Sequence, residues 1–134
     1  MGDVFVGRLM SSPVRTVTAE TPIQEAARKM SENGIGSVIV VSEGNDLEGI
    51  LTATDFVRLG ADDRRASDTP VSEYMSTDVV TTAANDDIRD VADLMIDHGF
   101  HHVPVVDETE GVVGIVTTTD LTAYLSHVET PSPE

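Results

Sequence analysis

Residues 10–60 of the chain recur without a gap as residues 75–125. Met10 aligns with Met75, Thr16 with Thr81, Ile23 with Ile88, Met30 with Met95, Gly34 with Gly99 and Val40 with Val105. The densest run sets Gly49, Ile50, Thr52, Thr54 and Asp55 against Gly114, Ile115, Thr117, Thr119 and Asp120. One constant shift with no insertion means two copies of one supersecondary unit. Each copy is too small to bury its apolar face alone. The copies are therefore expected to pack as one pseudo-symmetric body, and any cleft between them should come in two related versions.

Each copy reads strand, helix, strand, strand, helix. In the first, Val14–Val17 is a short extended run. Thr21-Pro22 opens a helix, with Thr21 as N-cap and Gln24 completing a capping box. Ile23, Ala26, Ala27 and Met30 form its apolar stripe, and Asn33-Gly34 stops it. Val38–Val41 and Glu48–Thr52 read as strands joined by turn residues, and Thr54 or Asp55 caps a second helix reaching about Leu59. The second copy gives strands over Val79–Thr82, Val103–Val106 and Val112–Thr117. Its helix stripe is Ile88, Val91, Ala92 and Met95, and a last helix runs from about Thr119 to Leu125 or beyond. Pro104 marks its strand as an edge strand or as a strand that begins there. The spacing predicts an α/β fold: two repeats, each a small mixed three-stranded sheet with two helices on one face, packed sheet to sheet. The expected division is 6–60, a polar linker at 61–70, 71–127, and a frayed tail at 128–134. Val4-Phe5-Val6 is apolar enough to pack, and the equivalent Met10, Met30, Met75 and Met95 read as core filling.

Composition narrows the function. There is no cysteine, which excludes disulfides and thiolate metal sites. No apolar run is long enough to span a bilayer and the N-terminus has no signal-peptide pattern, so a cytoplasmic protein without membrane contact is expected. A net charge of −16, with 24 acidic and 8 basic residues, repels nucleic acid. A carboxylate-rich surface with a single lysine, Lys29, suits a salt-adapted protein, because it resists association when the Debye length falls to about 3 Å at 1 M salt. No nucleophile–base pattern, P-loop or His-Glu-x-x-His motif is present, so an enzyme is not expected. His101 and His102 are neighbours on a strand and point to opposite faces, which argues against a shared metal. No cofactor is expected.

The two strings Gly49-Ile50-Leu51-Thr52-Ala53-Thr54-Asp55 and Gly114-Ile115-Val116-Thr117-Thr118-Thr119-Asp120 carry a resemblance. So does His101-His102-Val103-Pro104-Val105-Val106-Asp107. With them the chain, from about Val6 to Leu125, resembles a tandem pair of cystathionine-β-synthase (CBS) domains, a Bateman module. The resemblance implies a regulatory sensor that binds an adenine nucleotide or related adenosyl compound in clefts between the copies. It also implies a homodimer and a regulated protein that the sequence does not name.

The Thr-x-Thr-Asp strings end a strand and begin a helix, where free N–H groups and the dipole favour an anion. Thr hydroxyls can donate to phosphate, and the Asp carboxylate can accept both ribose hydroxyls. The same residues are also ordinary N-caps, and capping alone would account for them. In the geometry the resemblance implies, one cleft combines Thr117, Thr119, Asp120, His101 and Ile115 with Arg15, Ile35, Gly36 and Ser37. The other combines Thr52, Thr54, Asp55, Ile50 and Gly36 with Val80, Phe100, His101 and His102. Arg15 and His101 favour tighter binding at the Asp120 cleft, with His102 as a surface or packing residue. The rival expectation is a structural dimerisation module whose clefts stay empty.

Overall fold

The computed structural model describes residues 3–129. Its elements are α1 (Val6–Leu9), β1 (Thr16–Val17), α2 (Ile23–Asn33), β2 (Ser37–Val41), β3 (Leu47–Thr52), α3 (Ala53–Ala61), α4 (Ile88–His98), β4 (His102–Asp107), β5 (Gly111–Thr117) and α5 (Thr118–Glu129). Short 3₁₀ turns lie at Ala66–Asp68 and Val71–Glu73. The fold is mixed α/β with two small sheets, as the element pattern predicts.

The chain forms two compact units, and these do not follow the sequence repeats at their ends. One holds Val14–Val79 with the hairpin tip Glu108–Val112. The other holds the segment up to Pro13 with Val80–Asp107 and the chain from Val113 onward. Each unit therefore takes the leading segment of the opposite repeat. Pro70 bridges to Pro22 and Ser76 to Ile50 in one, while the equivalent Phe5 bridges to Asp87 and Ser11 to Ile115 in the other. Glycine makes the Ser76–Ile50 and Ser11–Ile115 bridges possible. A Cβ on Gly49 would sit 2.7 Å from the Ser76 carbonyl oxygen, and one on Gly114 would sit 3.1 Å from that of Ser11.

In the first unit β1 runs parallel to β2, and β2 antiparallel to β3. Val38, Val40 and Leu51 face a core completed by Ile23, Ala26 and Met30 of α2, Leu59 of α3, and Val71 and Tyr74 of the exchanged segment. Both helices thus share one sheet face. Ile39 and Ile50, which pair in the ladder, are buried on the other. The second unit has its own core of Val6, Val91, Met95, Val103, Val105 and Val116. Val4 and Val6 are buried, and Met10 and Met75 pack against the two cores.

Several expectations are corrected in detail. The N-cap of α2 is Pro22, not Thr21. The Thr21 hydroxyl accepts the Thr18 N–H at 3.2 Å and so closes the preceding turn. The equivalent turn in the second repeat is closed by Asp86, whose Oδ2 accepts the Ala83 N–H at 2.8 Å and the Thr82 hydroxyl at 2.7 Å. Asp87, equivalent to Pro22, caps α4. Gly34 and Gly99 end their helices with φ of 61° and 70°, the left-handed stop the sequence predicts.

The strand expected over Val79–Thr82 is a single parallel bridge from Thr82 to Val105, leaving a two-stranded sheet. The first repeat shows why. There the Ile39 N–H donates to the Arg15 carbonyl at 3.3 Å. The equivalent residue is Pro104, which has no N–H to offer Val80. Pairing ends with the Thr82 N–H on the Pro104 carbonyl at 3.0 Å and the Val106 N–H on the Thr82 carbonyl at 2.9 Å. β4 itself begins at His102, before the proline. The linker contains one 3₁₀ turn, and α5 continues through Glu129, so residues 128 and 129 of the expected tail are helical. Residues 130–134 of that tail lie outside the described residues.

Hydrogen bonds from Ala83 and Thr82 hold the Asp86 carboxyl below its usual value. A depressed carboxyl stabilises the fold above its unfolded pKa and loses that effect as pH falls through the folded one. We expect Asp86→Ala to cost about 1–2 kcal/mol at neutral pH. In urea melts run across pH, the deficit should shrink as the medium becomes more acidic than pH ~4.

Candidate functional site

Each Thr-x-Thr-Asp string turns a strand directly into a helix, and the turn is held by two residues of the string itself. Thr52 is the N-cap of α3 and forms a capping box with Asp55 at the third helical position. This corrects the assignment of the cap to Thr54 or Asp55. The Thr52 N–H donates to Asp55 Oδ2 at 2.8 Å. At the second copy the Thr117 N–H donates to Asp120 Oδ2 at 2.9 Å, and the Asp120 N–H donates to Thr117 Oγ1 at 3.1 Å. The carboxylate takes the N–H of the last strand residue, which is also the N-cap, so the helix begins directly where the strand ends. Thr54 and Thr119 stand exposed on the first helical turns.

The adjoining segments are placed by the sheets. In the first unit Ser37 pairs with Thr52, and the Ala53 N–H donates to the Gly36 carbonyl at 3.3 Å. Arg15, just before β1, lies beside Ile39 and is exposed. Arg15, Ile35, Gly36, Ser37, Thr52, Thr54 and Asp55 therefore gather at one end of the β1–β2–β3 sheet. Ile50 lies two residues further in, with Ile35 half-buried and Ser37 buried. In the second unit the Thr118 N–H donates to the His101 carbonyl at 3.0 Å, which brings His101 and His102 to the Thr117–Asp120 junction. Val80 precedes the Thr82 bridge, Ile115 leads toward Thr117, and Phe100 stacks on His98 with centroids 5.6 Å apart. His98 had no role in the sequence reading. Each unit thus brings together the residues of one repeat, whereas each expected cleft draws on both repeats.

The two junctions differ in charge. Asp55 is 4% exposed, and its Oδ1 accepts Arg58 Nη1 at 3.0 Å. Asp120 is half-buried, and Ala123 stands where Arg58 would be. Arg58 escaped the sequence reading, although its i,i+3 spacing from Asp55 is an ion-pair signal. His101 is exposed and His102 half-buried. Burial pushes the His102 pKa down, His101 adds to this, and the Asp120 charge opposes it. His102 is thus held toward the neutral form. Among the described residues no group of three His, Asp or Glu side chains could hold a metal ion, and no helix is long and apolar enough to cross a membrane.

The model of the CBS domain family matches residues 6–62 and 71–127. The chain belongs to the CBS domain family. It is 38% identical over 112 residues to the CBS domain-containing protein YhcV of Bacillus subtilis, covering 84% of this chain and 79% of that protein. It is 34% identical over 125 residues to an uncharacterized 17.7 kDa protein of Acidianus ambivalens, covering 93% and 75%. Among solved structures it superposes on the CBS domain pair of protein MJ0100 with a TM-score of 0.88 and 28% identity, covering 96% of this chain and all of that one. That pair was crystallised with 5′-methylthioadenosine and S-adenosyl-L-methionine.

The two aspartates of this CBS pair should differ in structural weight. Asp55→Ala removes a capping box and the partner of Arg58, and we expect a loss of about 2 kcal/mol. Asp120→Ala removes only the reciprocal cap, with an expected loss of about 1 kcal/mol. Chemical denaturation of both variants checks the order.

Proposed function

We propose that this CBS pair is a regulatory sensor. It binds an adenosyl compound (AMP, ADP, ATP or S-adenosylmethionine) in the cleft between its repeats and conveys its state to a partner protein. The observation that carries the reading is the duplicated Thr–Asp junction, where a strand end, a helix N-terminus and a carboxylate coincide. Such a junction offers a ribose diol an acceptor and offers a phosphate or carboxylate the positive end of the helix dipole. The adenosyl ligands of the MJ0100 pair support this choice of chemistry.

In this reading Asp120 accepts the ribose hydroxyls, Thr117 and Thr119 face the ligand's polar tail, and Ile115 contacts its base. His101 and Arg15 lie toward its anionic end, with Ile35, Gly36 and Ser37 completing the wall. The second cleft uses Thr52, Thr54, Asp55, Ile50 and Gly36 with Val80, Phe100, His101 and His102, and it binds more weakly. Exposed Val57, Ile96 and Leu125 on helices α3, α4 and α5 support pairing of two copies through helices. The acidic surface supports a cytoplasm rich in salt.

One observation favours a second reading, a dimerisation module with empty clefts: the net charge of −16 opposes an anionic ligand. Thermal unfolding at high salt separates the two. A true ligand at 100 times its Kd stabilises by about 2.7 kcal/mol. We expect a rise in Tm with at least one adenosyl compound, and a smaller rise in Asp120→Ala. No rise with any of them supports the module without a ligand.

A further inference from the structure

The two junctions are not equivalent: three residues past the aspartate, the first repeat carries Arg58 and the second Ala123. We propose that Arg58 is a built-in competitor for the first-repeat site, occupying Asp55 until a ligand displaces it. This inference rests on the adenosyl-binding reading given above and assigns a specificity-determining residue within it.

Asp55 has both carboxylate oxygens engaged. Oδ2 accepts the Thr52 N–H at 2.8 Å, and Oδ1 accepts Arg58 Nη1 at 3.0 Å. The Asp55 side chain is only 5% exposed, whereas that of Arg58 is 54% exposed. The guanidinium therefore sits on the solvent side of a covered carboxylate. The Thr52 N–H and Arg58 take two of the roughly four acceptor sites of the carboxylate, and because the carboxylate is covered, a ribose diol must compete with the guanidinium for the approach to Oδ1.

Arg58 is also held from behind. Its Cζ lies 5.4 Å from the centroid of the Tyr74 ring. Tyr74 is fixed in turn, since its hydroxyl donates to Asp62 Oδ2 at 2.7 Å. An exposed ion pair alone would count for little, but a pair with one buried partner and a fixed aromatic behind the other loses less side-chain freedom on forming. In the second repeat Ala123 replaces Arg58, so Asp120 keeps the cap without the competitor.

The test uses 5′-methylthioadenosine, which is uncharged, so that loss of a positive charge does not by itself alter attraction. Titration calorimetry is run on the full chain with Asp120→Ala, to isolate the first site, and on Asp120→Ala with Arg58→Ala. Arg58→Met is the second variant, because it keeps an aliphatic stem against Tyr74. We expect both Arg58 substitutions to tighten binding about threefold to tenfold. Unchanged or weaker binding in both overturns the inference while leaving the sensor reading intact. Absence of heat in every protein, the unsubstituted chain included, overturns this inference, and it overturns the sensor reading too only if AMP, ADP, ATP and S-adenosylmethionine also leave Tm unchanged.

Discussion

The reciprocal hydrogen bonding between a threonine at a strand end and an aspartate three residues on is the interaction the rest depends on. It caps α3 and α5, which start at the residues next to the ends of β3 at Thr52 and β5 at Thr117. It also sets a carboxylate at the positive end of a helix, a place that suits both a sugar hydroxyl and an anion. Capping and binding are therefore not rival explanations of these residues. In the proposed reading, the capped junction keeps the carboxylate in place for a ligand.

Around that junction the two repeats act as natural variants of one another. Ile39 and Pro104 occupy the same position, and the proline alone reduces a parallel strand to one bridge. Thr21 and Asp86 close the same turn, one with a neutral hydroxyl and the other with a charged carboxylate. Arg58 and Ala123 decide whether the aspartate carries an ion pair. The two repeats share a scaffold and differ at the Thr–Asp junctions.

Much of the fold was legible in the sequence. The helix stripe at Ile23, Ala26 and Met30, the glycine stops at Gly34 and Gly99, and the continuous buried run Val38–Val41 all follow from periodicity and turn chemistry. The exchange of leading segments was not legible, because Phe5–Ser11 and Pro70–Ser76 carry no periodic signal and are placed by contacts made far along the chain. The two motif glycines hint at it only once the close backbone approach at Ser76 and Ser11 is known. At the site, the string itself named Thr52, Asp55, Thr117 and Asp120. The role of Thr21 was misread because Thr-x-x-Gln fits a capping box equally well when the hydroxyl turns back to the preceding turn. Arg58 was missed because a family motif directs attention to its own letters and not to the residue three positions beyond.

The central claim is that an adenosyl compound is held at these junctions. The most direct measurement is amide NMR of the isotope-labelled chain at high salt during titration with S-adenosylmethionine and with AMP. The account predicts that shifts concentrate on the backbone amides of Thr117–Leu121, with a weaker response at Thr52–Phe56. Titrations that move neither segment, or that move only amides far from both, would contradict it.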